Sequence, residues 1–121
     1  MAWTYDISSG TLTDPEGHFA GTGYSGKAGP CRNNPHAEPT VAEGPIPEGT
    51  WHIGPAHRSP NTGPITMDLD AAPGTNTYGR SLFRIHGDNV NHDASHGCII
   101  LGPAIRTQIS NSEDRTLVVT A

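Results

Sequence analysis

Basic residues and long apolar runs are scarce in this sequence. Lys and Arg together number 7 against 12 Asp and Glu, which gives a formal net charge of −5. A nucleic-acid partner or an anionic membrane surface attracts clusters of basic side chains. The apolar stretches also fall far short of the roughly 18–20 residues of a membrane-spanning helix. We therefore expect no nucleic-acid partner and no membrane insertion.

Cysteine is scarce as well, and residues 1–6 do not resemble a leader. The 2 cysteines, Cys31 and Cys98, are too few for a disulfide framework. Residues 1–6 lack the basic and apolar regions of a secretory signal peptide. We expect a protein made in the cytoplasm without an export signal of its own. Cys31 is expected to be incidental, or to form a disulfide after export.

Glycine and proline, by contrast, are abundant, with 15 and 11 residues among 121. Leu, Ile, Val and Phe make up only about 17%, but the small net charge argues for a folded chain rather than a disordered one. The length suits a single domain spanning 1–121. Frequent turn residues indicate a mainly β protein: a small β-sandwich or partly open barrel of mixed sheets with one short α-helix. Segment 27–45 is predicted to be a long loop or flap.

Seven short segments have the alternation or the β-branched content that is typical of strands. These predicted strands lie at 3–7, 19–25, 50–53, 65–69, 82–86, 97–101 and 116–120. The helix is predicted to begin at Gly102 and Pro103, because proline suits the first helical position, where its missing N–H is not needed. Ile105 and Ile109 then share one face, and the helix is predicted to end near Asn111.

Candidate catalytic groups concentrate in residues 86–98, HGDNVNHDASHGC. A cysteine thiol becomes nucleophilic at neutral pH when a base or an imidazolium assists it. His86 ends one predicted strand and Cys98 begins the next, so adjacent strand ends would bring the two side chains together. The N–H groups of Gly97 and Cys98 are candidates for an oxyanion hole. Ser95 and His96 are expected to donate to the same site or to hold the loop in shape.

The same segment could instead hold a zinc ion. Its residues with suitable ligand atoms are His86, Asp88, His92, Asp93, His96 and Cys98. Catalytic zinc usually takes three protein ligands and a water molecule. Metal binding, however, gives no reason for a glycine directly before the cysteine in the compact unit 95–98. We therefore favour a cysteine nucleophile without a cofactor and keep a zinc-dependent peptidase or amidase as the alternative.

One pattern in this segment resembles a known family. It consists of Ile85-His86-Gly87, a short loop, and then Ser95-His96-Gly97-Cys98 before an apolar strand. This pattern is similar to the signature of the L,D-transpeptidase catalytic domain, the YkuD-like family. Segment 44–53, GPIPEGTWHI, resembles a turn and strand of that family. Segments 3–5, 24–26 and 78–89 resemble a compact branch found among bacterial type VI secretion effectors, so the likeness covers nearly the whole chain.

The resemblance implies an enzyme that acts on the stem peptides of peptidoglycan. In this family a cysteine attacks the carbonyl of an L-centre next to a D-residue, and the terminal D-alanine leaves an acyl-enzyme behind. Water then gives carboxypeptidase activity, whereas an amine gives cross-linking or D-amino-acid exchange. Carried over to this chain, Cys98 is the nucleophile, His86 is the general base, and the Gly87 carbonyl orients the His86 ring. The oxyanion region is implied to be shaped by Ser95, His96 and Gly97.

Contacts with the substrate are less well specified by the resemblance. Many family members have an arginine two residues after the cysteine, where this chain has Ile100. Candidates to bind a substrate carboxylate in its place are Arg80, Arg84 and Arg106, because the guanidinium fork matches carboxylate geometry. Further candidates for substrate contact are Tyr24, Asp88 and Asn89. Their alternative roles are packing for the tyrosine and turn formation for the other two residues.

The likeness to the effector branch also implies a biological setting. It implies a toxin that a secretion system delivers to the periplasm of a target cell, and a cognate immunity protein that plugs the cleft. Two other uses of the chain stay open. One is a housekeeping L,D-transpeptidase that cross-links the cell's own wall, and the other is a wall-binding or inhibitor domain with an inactive site.

Overall fold

The computed structural model describes residues 2–89, 91 and 94–121, and most of its regular structure is β. The strands are β1 Trp3–Asp6, β2 Thr11–Thr13, β3 Phe19–Thr22, β4 Tyr24–Ser25, β5 Gly49–Ser59, β6 Gly63–Ala71, β7 Arg84–His86, β8 Ile99–Ile100 and β9 Thr116–Thr120. The helix α1 spans Pro103–Ser110, and a 3₁₀ helix spans Pro35–Ala37. No helix of the described residues has the length and apolar character needed to cross a membrane.

All these strands form one mixed sheet that curls into a nearly closed barrel. Its order is β3-β2-β1-β9-β5-β6-β7-β8-β4. The β1–β9 and β7–β8 pairs are parallel, and the other pairs are antiparallel. The two outermost strands, β3 and β4, are neighbours in the chain with only Gly23 between them. A Cβ on Gly23 would lie 1.9 Å from the Ile100 carbonyl oxygen, so glycine permits this close passage. The prediction of a mainly β, partly open barrel with one short helix is confirmed.

The core lies inside the curled sheet. Trp3, Tyr5 and Ile7 alternate with more exposed residues and are almost completely buried, as the period of two predicts. Trp51 packs edge-on against Phe83, with ring centroids 5.0 Å apart. Fully burying one such large side chain contributes about 1.5–3 kcal/mol, so a small number of them stabilises a short chain with little aliphatic content.

Strand limits differ from the predictions for identifiable reasons. Strand β2 was not predicted, because Leu12 is its only apolar residue and its register comes from pairing with β1 and β3. The predicted strand 19–25 is divided at Gly23. Strands β5 and β6 are longer than predicted because they form a hairpin that continues beyond the core. Strand β7 begins later than predicted, since Leu82 has φ +65° and lies outside it, 80% exposed.

The helix and the long loop agree closely with the sequence. Helix α1 has proline at its first turn, and the Asn111 N–H caps its end on helix carbonyls. Ile109 is buried in the core and Ile105 packs against it. The predicted loop 27–45 contains the 3₁₀ helix, which the Asn34 side chain caps by accepting from the His36 N–H at 3.0 Å. Two of its residues, Val41 and Ala42, line a cavity together with Gly97 and Cys98, which precede strand β8.

Candidate active site

Strands β7 and β8 bring His86 and Cys98 to one region of the sheet. They pair in parallel, with Ile85 opposite Ile99 and His86 opposite Ile100. Ile85 and Ile99 are fully buried in the core. Because side chains alternate along a strand, this register places His86 and Cys98 on the other face, diagonally across neighbouring strands. His86 is the last residue of β7 and Cys98 directly precedes β8, so two residues 12 positions apart in sequence come to neighbouring strands.

The His86 ring is held in one orientation. Its Nδ1 lies 2.9 Å from the carbonyl oxygen of Gly87, an acceptor, so Nδ1 carries the proton and Nε2 is left as the basic atom. The ring is buried, and burial is the main cause that lowers its pKa from 6.5, with the charges of Arg106 and Arg84 acting in the same direction. The bond to Gly87 opposes this shift. His86 is therefore a neutral imidazole at pH 7, ready to accept a proton.

The Cys98 thiol is also neutral at rest. Burial raises its pKa above 9.0, while a hydrogen bond from the Arg84 backbone and the charges of Arg84 and Arg80 lower it. Its Sγ–H points to the carbonyl oxygen of Leu82 at 3.7 Å. The resting site thus holds a thiol and an imidazole rather than a thiolate and an imidazolium. Such a thiol needs general-base assistance when it attacks.

Ser95 organises the turn that leads to Cys98. Its side chain is fully buried, and its Oγ donates to the Cys98 carbonyl oxygen at 2.6 Å. The same Oγ accepts from the N–H groups of Gly26 at 2.9 Å and Gly97 at 3.2 Å. We expected the Gly97 N–H to face the oxyanion, but here Ser95 occupies it. The Cys98 N–H has no acceptor among the described residues, so it is the backbone donor left for that role.

A cleft of about 350 Å³ leads to Cys98. Its lining includes Val41 and Ala42 of the 27–45 loop, and Leu82 and Phe83 before strand β7. His96 borders the cleft, exposed to solvent, and its Nδ1 lies 3.1 Å from the Ala42 carbonyl oxygen. A second hollow, which contains His86, also has His96 in its wall. His96 therefore lies between the approach to Cys98 and the approach to His86.

Arg80 anchors the loop that lines this cleft. Its guanidinium is buried and donates to the carbonyl oxygens of Glu38, Pro45, Gly44 and His96 at 2.5–3.3 Å. Four of its five N–H groups are therefore already used. We expected Arg80 as a candidate for a substrate carboxylate, but this bonding makes it a positioning residue for the loop. Sequence reasoning could not see this, because backbone carbonyls carry no sequence signature.

Arg84 is also engaged, though at the surface. Its Nε lies 3.0 Å from Oδ1 of Asp68, which in turn lies 3.2 Å from the His57 ring. The side chain is 30% exposed, so the pair is screened by solvent. The charge of Arg84 acts on Cys98 by lowering the pKa of the thiol. A direct contact of Arg84 with the substrate stays a prediction.

The residues that begin the loop after β7 are linked to Tyr24. The tyrosine hydroxyl donates to Oδ1 of Asp88 at 2.5 Å and accepts from the Ala94 N–H at 3.2 Å. The Arg32 guanidinium stacks on the tyrosine ring at 3.8 Å. Burial and the bond to Asp88 raise the pKa of Tyr24 to about 12. Tyr24 thereby joins the two ends of the loop between His86 and Cys98.

Asp88 and Asn89 are exposed and shape the turn. The Asn89 N–H donates to the Asp88 carboxylate at 2.8 Å, and the Asn91 N–H donates to the Asn89 side chain at 3.2 Å. These bonds agree with the turn-forming alternative, and contact of the two residues with a substrate stays a prediction. Gly87 before them is also restricted, since a Cβ there would lie 2.7 Å from Nη2 of Arg106.

The alternative zinc site has little support in the part of the chain that the structure describes. No group of three or more His, Cys, Asp or Glu side chains gathers there in a metal-binding arrangement. His92 and Asp93, two of the six candidate ligands, lie outside the described residues. His86 and His96, two other candidates, bond through Nδ1 to backbone carbonyls.

Three features of the site were not foreseen from sequence. Val41 and Leu82 are 71% and 80% exposed at the mouth of the cleft and give it an apolar rim. Ala42 and Leu82 have positive φ values of 61° and 65°, which are uncommon for residues with a side chain. Arg106, one of the three arginines that the sequence offered for a substrate carboxylate, is buried, and its Nη2 lies against Gly87. The only sequence signal for any of these features was the flap-like composition of residues 27–45.

Comparison with solved structures places the fold. The chain is similar to an L,D-transpeptidase from Mycobacterium smegmatis, with a TM-score of 0.54 and 16% sequence identity. The match covers 99% of this chain and 58% of that protein, so the chain spans little more than half its length. The curled sheet with strands β7 and β8 at its end therefore defines an L,D-transpeptidase-like fold.

The family follows from the sequence profile. The Tlde1 domain, which belongs to a family of type VI secretion effectors, matches residues 20–120. Since this match covers most of the chain, the protein belongs to the Tlde1 domain family. Comparison with curated proteins gave no match.

Proposed function

We propose that the protein is a cysteine-dependent enzyme that cleaves the L,D bond of peptidoglycan stem tetrapeptides through an acyl-enzyme. One observation carries this proposal. The Gly87 carbonyl, 2.9 Å from Nδ1, orients the His86 ring with Nε2 as the free base, on the strand beside Cys98. The thiol borders an open cleft, so a peptide can reach it from solvent.

Acylation begins with a proton transfer. Nε2 of His86 takes the proton of the Cys98 thiol as sulfur attacks the carbonyl carbon of the L-centre. The negative charge moves to the carbonyl oxygen, where the Cys98 N–H donates to it. The carbon–nitrogen bond then breaks, and His86 returns its proton to the amine of the leaving D-alanine. A thioester between Cys98 and the shortened stem peptide is left.

Deacylation uses the same groups in reverse. His86 takes a proton from a water molecule, whose oxygen attacks the thioester carbonyl. The carbon–sulfur bond breaks, and the proton returns to sulfur as the tripeptide leaves. If the amine of a D-amino acid attacks instead, the product is an exchanged stem peptide. One site therefore supports both L,D-carboxypeptidase and exchange activity.

Because both side chains are neutral before the substrate binds, the mechanism requires a proton transfer from Cys98 to His86 during the attack. Because burial raises the pKa of Cys98 and lowers that of His86, little thiolate is present before the substrate binds. The base must act during the attack, which is why its orientation by Gly87 matters. General-base assistance of this kind contributes about 10²–10⁴ in rate.

The setting of the activity belongs to the same proposal. The effector family supports an enzyme that a secretion system delivers to the periplasm of a target cell, where stem peptides are accessible. A producing cell would need protection, so we expect a cognate immunity protein that covers the cleft beside Cys98. A toxicity assay with the enzyme directed to the periplasm, with and without co-expression of genes that neighbour its own, tests this point.

The central experiment uses purified muropeptides that carry tetrapeptide stems. Wild-type protein is expected to release D-alanine, and Cys98→Ala and His86→Ala are expected to lose nearly all of this activity while keeping the far-ultraviolet circular dichroism of the wild type. Mass spectrometry of the products reports hydrolysis and exchange together. Cys31→Ala is the matched control, since it removes the other half-buried thiol and should leave the rate unchanged.

Two outcomes would decide against the proposal. Equal D-alanine release by wild type and Cys98→Ala would show that the thiol is not the nucleophile. Loss of activity on exhaustive chelation, with recovery on adding zinc, would favour the metal-dependent alternative.

A further inference from the structure

A second cavity lies beside the catalytic histidine. Its volume is about 390 Å³, and it is lined by the ends of β3 and β8, by the start of α1, and by Gly87, Asp88 and Arg106. Gly87 and Asp88 also line the hollow that contains His86. The cavity therefore adjoins the His86 hollow at Gly87 and Asp88.

Arg106 presents an unused nitrogen in this cavity. The side chain is 7% exposed. Its Nε donates to the Leu101 carbonyl at 2.9 Å, and its Nη1 donates to the carbonyls of Pro64 at 2.7 Å and Ile65 at 3.4 Å. These three bonds fix the plane of the guanidinium. Nη2 has no acceptor among the described residues and lies against Gly87, at the border shared with His86.

The positive charge of Arg106 is also unpaired within the described residues. No salt bridge there includes it, and burial alone lowers its pKa, with no carboxylate acting to raise it. The Asp88 carboxylate in the same cavity accepts from Tyr24 and Asn89. A buried charge ordinarily has a counter-charge, because burial without one is costly. Arg106 is thus a fixed cation with an open donor and room for an anion.

We propose that Arg106 forms a carboxylate subsite for the residue that leaves the donor stem, and for the D-amino acid that replaces it in exchange. This assignment rests on the proposed function. His86 returns its proton to the leaving amine, so the leaving residue lies on the His86 side of the attacked carbonyl. The carboxylate of that residue is one carbon from its amine and extends towards Gly87 and Nη2. The guanidinium fork suits a carboxylate there.

The other two candidate arginines are less suitable for this role. Arg80 spends four of its five N–H groups on backbone carbonyls, and Arg84 already pairs with Asp68. Arg106 combines rigid bonding at two nitrogens with a free donor at the third. Its cavity also adjoins the hollow that contains His86, through Gly87 and Asp88.

The first test measures binding of the leaving group itself. D-alanine is titrated into full-length Cys98→Ala protein and followed by NMR at Gly87, Gly102 and the Arg106 side chain. D-alanine is expected to shift these signals, and D-alaninamide, which lacks the carboxylate, is expected to bind roughly tenfold more weakly or less. Equal affinity for the two compounds, or no shift with D-alanine, would overturn the proposal.

A charge inserted in the cavity provides the second test. Thr22 is exposed and lines the cavity, so Thr22→Glu supplies an internal carboxylate near Arg106 without removing its structural bonds. D-alanine binding is expected to weaken roughly tenfold or more. Thr116→Glu, an exposed strand threonine outside the cavity, is the matched control and should bind within about twofold of the parent. Equal effects of the two substitutions would count against the subsite.

These tests stay decisive if the proposed reaction is wrong. D-alanine titration requires no turnover, so an inactive protein that still binds D-alanine through Arg106 would refute only the cysteine mechanism. In an active protein, Thr22→Glu should raise KM for the tetrapeptide and for the exchanged D-amino acid while Cys98 alkylation by iodoacetamide stays at the control rate. An active enzyme with an unchanged KM would refute only the subsite.

Discussion

The guanidinium of Arg80 lies against the α-carbon of Gly97, one residue before Cys98. A Cβ on Gly97 would come within 2.6 Å of Nη2 of Arg80 and 3.0 Å of the Phe83 ring. The same nitrogen donates to the His96 carbonyl at 3.3 Å. The glycine has φ +137°, a conformation that side chains rarely adopt. The backbone that leads to Cys98 therefore requires a glycine at position 97, and the bond from Arg80 to the His96 carbonyl holds this backbone in place.

Gly97→Ala is therefore expected to disturb the site in two ways. The added methyl group would clash with Arg80 and Phe83, and alanine rarely adopts the φ of this position. We expect a loss of more than about 1 kcal/mol in the free energy of unfolding, and a larger fall in kcat than this loss explains, because Cys98 moves with the turn. Urea unfolding and D-alanine release measure the two effects. Gly74→Ala is the matched control, since Gly74 has φ +91° but no atoms within 4 Å of an added Cβ. Equal losses in the two variants would refute the contact argument.

Arg80→Lys is expected to free the 38–45 segment while keeping the positive charge. An ammonium cannot reproduce a fork that binds four carbonyls, so the loop wall with Val41 and Ala42 should become more dynamic. We expect faster amide hydrogen exchange across residues 38–45 and an increase in KM. Arg58→Lys changes an exposed arginine and should affect neither measurement. An unchanged exchange rate in Arg80→Lys would show that other contacts hold the loop.

The pH dependence of activity should follow His86. The base works in its neutral form, and burial lowers its pKa below 6.5, so kcat/KM should stay constant near pH 7 and fall only as the pH drops below 6.5. Stability should change in the same direction. Between the lowered folded pKa and 6.5 the unfolded chain binds more protons, so acidification destabilises the fold. A decline in kcat/KM that began above pH 7 would contradict this assignment.

Glu38 should give stability the opposite pH dependence. Burial and a hydrogen bond with the Glu48 side chain raise the pKa of Glu38 to about 7, while the Glu48 N–H donates to Oε1 at 2.9 Å. The folded state thus keeps a proton that the unfolded state, with a pKa of 4.5, has lost. This contribution is complete below pH 4.5 and disappears as the pH rises through 7, with a magnitude of at most about 3 kcal/mol.

Glu38→Gln tests that expectation, because the amide cannot ionise but can still accept from the Glu48 N–H. Thermal unfolding between pH 5 and pH 8 should show a flatter profile in the variant than in the wild type. Glu16→Gln, at an exposed turn, should keep the wild-type slope. Identical slopes in wild type and Glu38→Gln would mean that Glu38 is ionised in the folded protein.

Much of the local structure could be predicted because it depends on neighbouring residues. Pro103 after Gly102 marked the start of the helix, and alternation at Trp3, Tyr5 and Ile7 marked the first strand. Prediction failed where pairing decides the outcome. Strand β2 has one buried apolar residue, Leu12, and exists because β1 and β3 pair with both of its edges. Leu82 looked like a strand residue, but its positive φ places it at the cleft mouth.

The residues of the candidate site can likewise be divided into those that the local sequence identified and those whose roles depend on tertiary contacts. His86, Gly87, Ser95, Gly97 and Cys98 stood out because their chemistry and spacing form a compact pattern in one segment. The arginines could not be sorted from sequence, since their roles depend on which carbonyls and carboxylates surround them. Arg80 meets acceptors 16 to 42 positions away, and Arg106 meets acceptors 42 and 41 positions away at Pro64 and Ile65.

The amino-acid sequence by itself determined the mainly β class, the short helix and the choice of Cys98 and His86 as candidate catalytic residues. Those properties follow from side-chain periodicity, turn chemistry and the reactivity of individual residue types. Only the tertiary structure decided that Ser95 takes the Gly97 N–H, that Arg80 anchors a loop, and that Arg106 keeps a free donor beside His86. Such assignments depend on backbone groups brought together by folding, and the carbonyl group that accepts most of these bonds is the same in every residue.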